Sequence, residues 1–132
     1  MKTSAETRVL PVKLCRERLS TTASAQFLYD PRDPYAVVFV ITSTGSPPVS
    51  WTFARELLSA GLHGGFGSGN VVIAPAPEGP ALLIALESGT DFAVLRIDAA
   101  PVREFLDRTY RLVPAGHEEV DVDALLDRLL AS

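Results

Sequence analysis

The sequence predicts one α+β domain over residues 1–132, with about seven mainly antiparallel strands and three helices. Three observations carry that expectation. Runs rich in β-branched and aromatic residues fill most of the first two thirds of the chain, separated by short turn-forming segments. The apolar period lengthens to that of a helix after Phe53. Two amphipathic segments then close the chain.

Each element has its own signal. In "RVLPVKLC", Leu10, Val12 and Leu14 share one face and Lys13 takes the other. "ASAQFLYD" is a second, weaker strand, and "YAVVFVIT" (Tyr35 to Thr42) is nearly continuous, as in a strand covered on both faces. "STGSPP" supplies turn chemistry, after which Val49, Trp51 and Phe53 alternate with Ser50 and Thr52; a short turn favours antiparallel pairing. In "TFARELLSAGL", Phe53, Leu57 and Leu58 fall on one helical face, and Gly61 is placed to stop the helix in a left-handed conformation. "NVVIA", "ALLIALE" and "FAVLRI" follow as strands. Pro101 suits a first helical position, and Val102, Phe105 and Leu106 form its apolar stripe. A last helix starts near Asp121, which can cap it, and spaces Val122, Leu125, Leu126, Leu129 and Leu130 along one side. Large apolar groups on both faces of one strand, Leu82, Leu83, Ile84 and Leu86, predict that both faces are covered, within the chain or by another subunit.

Composition narrows the classes. Apolar residues make up 47% and charged residues 21%, which suits a folded domain rather than a disordered segment. No apolar run approaches the roughly 18 residues of a membrane helix, and the N-terminal residues lack a secretory pattern. One cysteine, Cys15, cannot form an internal disulfide, and together these features predict a cytoplasmic protein. The net charge of −4 argues against nucleic acid as a partner, although Lys13, Arg16, Arg18 and Arg32 lie in a locally basic N-terminal part.

The motifs that would carry chemistry fail one by one. "SAGLHGGFGSGN" packs five glycines between Ser59 and Asn70, but it leaves a helix and leads into a strand. A phosphate cradle needs the reverse order, so that a helix N-terminus meets the ligand. Ser68 lacks the flanking glycine two positions earlier that a hydrolase elbow requires, because Phe66 stands there; His63 is its lone basic neighbour. Two histidines and one cysteine are too few for a zinc site, and "GHEEVDVD" lacks calcium-loop spacing. Asp30 and Asp33 each precede proline, which favours rigid turns over paired acid–base work. The expectation is no catalytic residue, no metal and no cofactor.

The same segments carry a resemblance. "YDPRDPYAVVFVI" resembles the Y-D-x-x-D-P-Y-A-V stretch of the SsgA-like proteins of actinobacteria, "WTFARELLSAGL" resembles their W-x-F-A-R-[DE]-L-L-x-x-G-L, and "GSGNVVIAPA" is similar to G-x-G-D-V-x-V-x-P. Asn70 stands where that family usually has Asp, and Ala74 where Trp often precedes the proline. The resemblance implies a bell-shaped fold of the single-stranded-nucleic-acid-binding "whirly" type, assembled as a homotrimer. It also implies a non-enzymatic role in sporulation-specific cell division and cell-wall remodelling, at division septa. One family member places another, which recruits the tubulin-like GTPase FtsZ, so FtsZ and other SsgA-like proteins are the implied partners; a single-stranded nucleic-acid role is the alternative. The matching positions are Tyr29, Asp30, Asp33, Pro34, Tyr35, Trp51, Phe53, Ala54, Arg55, Leu57, Leu58 and Gly61, read as architectural. Arg55, charged within an apolar motif, is expected to pair with a carboxylate such as Asp30 or Asp33, or to contact a partner.

Overall fold

A computed structural model describes residues 4–16, 19–119 and 122–131. Its centre is one curled antiparallel sheet. The strands are β1 (Ala5–Glu6), β2 (Leu10–Arg16), β3 (Leu19–Tyr29), β4 (Ala36–Thr42), β5 (Val49–Ala54), β6 (Phe66–Ser68), β7 (Val71–Pro75), β8 (Ala81–Ser88) and β9 (Asp91–Asp98). The path runs β5-β4-β3-β2-β9-β8-β7-β6, with β1 paired to β3 off that path. The sequence expectation of about seven strands omits β1 and β6. At two and three residues, these are too short to show any alternation, so pairing alone reveals them. The antiparallel expectation holds in every pair.

Alternation decides which residues enter the core. On the inner face, Phe27 opposes Phe39, Ile84 opposes Leu95 and Leu82 opposes Ile97, and all six are at most 2% exposed. Helix α2 (Ala99–Leu112) lays Val102, Phe105 and Leu106 against this face, as its stripe predicts. Phe27 meets Phe39 at 4.5 Å and Phe105 at 5.7 Å between ring centroids. Each aromatic pair adds about 0.5–1.5 kcal/mol beyond area burial, so this trio anchors helix to sheet. Pro101 is the third residue of α2, not the first, because Ala99 already hydrogen-bonds back to the Pro80 carbonyl. A helix leaves its first four N–H groups free, so a proline fits there equally well.

Helix α1 (Arg55–His63) joins β5 to β6, the two ends of the sheet path, and packs on β7. Gly61 does not stop it. The helix continues to His63, with Gly64 as its C-cap, and the left-handed conformation falls at Gly65, φ +94°. Leu62 extends the buried stripe of Leu57 and Leu58 past Gly61, so burial favours carrying the helix two residues further. The glycine-rich segment is therefore partly strand: β6 and β7 form a hairpin whose turn uses Gly69 at φ +59°.

A third helix, α3 (Val122–Ala131), ends the described chain. Asp121 and its expected cap lie outside the described residues. Of the expected stripe, Val122, Leu126, Leu129 and Leu130 are 48–83% exposed. On β8, Leu82, Ile84 and Leu86 are buried while Leu83 and Ala85, on the outer face, are half-buried. One chain covers one face of that strand and leaves the other partly open.

Candidate functional site

The motif residues converge on a buried arginine. Arg55 opens α1 directly after β5, and its side chain is 2% exposed. Its backbone N–H donates to the Tyr35 carbonyl at 2.7 Å, so the ladder between β4 and β5 runs into the helix. Nη1 donates to the Thr109 carbonyl at 3.0 Å, which also ends the helical bonds of α2, and to the Val113 carbonyl at 2.8 Å, just past them. Nη2 makes no hydrogen bond among the described residues, but lies 3.4 Å from Glu118 Oε2 as an ion pair. The guanidinium also sits 4.0 Å from the Tyr110 ring centroid and 5.2 Å from that of Tyr29. Two aromatic faces, two carbonyls and a carboxylate replace the water that a buried cation gives up.

Arg55 thus pairs with Glu118, not with Asp30 or Asp33 as the sequence reading expected. Asp30 is engaged by Arg32, which grips both carboxylate oxygens and has its backbone N–H bound to Asp30 Oδ1 at 2.9 Å. The Asp33 N–H donates to the Asp30 carbonyl at 2.9 Å, closing the turn that the two Asp-Pro steps predict. Glu118 is the residue sequence reasoning missed, since "GHEEVDVD" reads as acidic residues preceding a helix. The usable signal was the demand of a buried guanidinium for a carboxylate, with no spacing to say which one.

The neighbours hold this cluster in place. Tyr29 is 3% exposed and its hydroxyl donates to the buried Pro34 carbonyl at 3.0 Å. Burial pushes the Tyr29 pKa above its ordinary 10.0 against the opposing pull of Arg55, so the phenol keeps the proton it donates. Tyr35 is 53% exposed and reaches the Glu118 carbonyl at 3.4 Å. Phe53, Leu57 and Leu58 are core residues, Ala54 is the N-cap of α1, and Gly61 lies against Ile73. A cavity of about 320 Å³ lies over Arg55, between Tyr35, Tyr110 and Glu118.

Hydrogen bonds from its own backbone amide and that of Gly116, with the charge of Arg55, hold the Glu118 carboxyl below its ordinary 4.5 despite partial desolvation. A lowered folded-state pKa means that the ionised form adds stability above the unfolded value, and that this is lost as pH falls through the folded value. We therefore expect stability to decline with acidity from about pH 4.5 downward, and Glu118→Gln to flatten that part of the profile. Urea midpoints measured across the range check it.

A second feature lies at the open end of the curled sheet. A groove of about 270 Å³ is lined by Leu14, Ile41, Val49, Trp51, Leu86 and Phe92, with Arg16 and Asp91 3.9 Å apart at its rim. Trp51, half-buried, opposes Phe39 and points into the concave side. His63 Nδ1 lies 2.7 Å from the Ser59 carbonyl within its own helix, while Ser68 is exposed on β6. Among the described residues no three His, Cys, Asp or Glu side chains form a metal-binding group.

Comparison with known proteins finds relatives over most of the chain. Residues 23–118 match the family described as Streptomyces sporulation and cell division protein, SsgA. The chain is 45% identical over 105 residues to the sporulation-specific cell division protein SsgB of Saccharopolyspora erythraea, across 77% of this chain and 74% of that one. Identity to SsgB of Streptomyces coelicolor is 38% over 116 residues, 85% of each chain. The crystal structure of an SsgA-like sporulation-specific cell division protein from Thermobifida fusca superimposes with a TM-score of 0.81 at 35% identity, covering 98% of both chains.

Proposed function

Because this chain belongs to the SsgA family of sporulation and cell division proteins, we propose that it is a non-enzymatic adaptor that helps place the septum during sporulation. The observation that carries this reading is where the motif residues go. Arg55, Tyr29, Phe53, Leu57 and Leu58 are committed to packing and to hydrogen bonds within the chain. What remains for function is surface, and surface serves contact with other proteins. FtsZ and other SsgA-like proteins are the partners this reading names, at division septa. The net charge of −4 disfavours the nucleic-acid alternative. Deleting the gene in the native host tests the proposal: missing or misplaced sporulation septa are expected, and a fluorescent fusion that stays diffuse throughout sporulation counts against it.

Self-association, as a trimer, is part of the same proposal and has a candidate surface. Val72, Leu83, Ala85 and Val94 lie side by side on the outer face of β7, β8 and β9, and Val72 is 48% exposed. Covering a large apolar side chain is worth about 1.5–3 kcal/mol, enough to bias association when several add. Leu83→Glu should shift the chain to monomer in light scattering with an unchanged circular dichroism spectrum. An unchanged mass would move the interface elsewhere.

A further inference from the structure

We propose that the free edge of β5, together with the groove beside Trp51, is a docking site for an extended peptide segment of a partner protein, added to the sheet as an antiparallel strand. This rests on the adaptor reading and names the surface it uses. The β5 strand ends the sheet path, so one of its sides has no strand neighbour among the described residues.

The register shows which groups are open. Arg55 N–H bonds to the carbonyl of Tyr35, its opposite residue, so Phe53, Trp51 and Val49 also turn their backbone groups toward β4. Ser50 and Thr52 then direct both N–H and C=O to the open side. Natural sheets blunt such edges with lysine, internal proline or bulges. "VSWTFA" carries no charge and no proline, and its pairing with β4 is unbroken over six residues.

The groove gives the edge selectivity. Residues opposite each other in adjacent strands point to the same face. A peptide residue opposite Trp51 therefore points into the concave side, where Leu14, Ile41 and Leu86 line the cavity. Its neighbours, opposite Ser50 and Thr52, point outward and can be polar. The occupant is thus a segment with a large apolar residue at alternate positions and uncharged polar residues between. Main-chain bonds then supply affinity and the pocket supplies choice.

The test uses the full chain and the peptide acetyl-Lys-Thr-Leu-Thr-Leu-Thr-Lys-amide. Trp51 is the chain's one tryptophan, so its emission reports the groove directly. A saturable change in emission is expected. N-methylating the threonine amides, which face β5, should weaken binding at least tenfold; N-methylating the leucine amides, which face away, should leave it within about threefold. Thr52→Pro removes an outward N–H while sparing the ladder to β4, and should also cost at least tenfold with an unchanged circular dichroism spectrum. No saturation at millimolar peptide, or equal binding by both methylated forms, overturns the proposal. So does concentration-dependent protection of the Thr52 amide without peptide, which would assign the edge to a second copy. In hyphae, normal septation with Thr52→Pro overturns this docking site alone, whereas normal septation after gene deletion overturns the adaptor reading.

Discussion

Replacing Arg55 with alanine should destabilise the chain by about 3–5 kcal/mol, the range for removing one partner of a buried ion pair. The Val113 carbonyl loses its donor, Glu118 keeps a carboxylate without its cation, and Tyr110 loses a guanidinium 4.0 Å from its ring. The Thr109 carbonyl suffers less, since it also accepts the Val113 N–H at 2.9 Å. In thermal melts this corresponds to a fall in Tm of at least about 10 °C. Arg55→Lys should recover little, because an ammonium cannot bond two carbonyls and face a carboxylate with the geometry of the planar fork. Arg55→Met with Glu118→Gln should be less destabilising than Arg55→Met alone, since replacing both charges removes the unpaired one. A double-mutant cycle measures that coupling, and additive effects would show that the pair acts through packing alone.

Gly61→Ala should destabilise by about 1–2 kcal/mol, although alanine is the better helix former. Helix propensity favours alanine by about 1 kcal/mol. Against this, an added Cβ would sit 2.5 Å from Ile73 Cβ and 2.9 Å from the Ile73 carbonyl oxygen. Ile73 is fully buried and lies on β7, paired on both sides, so it cannot move away without dragging two strands. Overpacking in such a setting costs about 1–3 kcal/mol or more, and the clash outweighs the propensity gain. Shortening Ile73 to alanine should not rescue the variant, because the Cβ and the carbonyl remain. Denaturant midpoints of the single and double variants check both statements, and a Gly61→Ala chain as stable as the parent would overturn the close-approach account.

Much of this protein is legible without a structure. Seven of the strands and helices α1 and α2 follow from period and turn chemistry, because an alternating or 3.6-residue apolar pattern buries its apolar side in one way; α3 follows from its period alone, since the described residues of its stripe stay exposed. The family also shows in short motifs. The role of each motif residue was not legible. Gly61 reads as a helix stop until Ile73 is found against it, and Arg55 reads as a mate for Asp30 or Asp33, or for a partner, until Glu118 arrives from 63 positions along the chain. The short strands β1 and β6, the free edge of β5 and the groove at Trp51 are likewise products of pairing. Local pattern reports what a segment prefers. Which distant segment meets it is set by how nine strands and the helices share one core, and that information is spread over the whole chain.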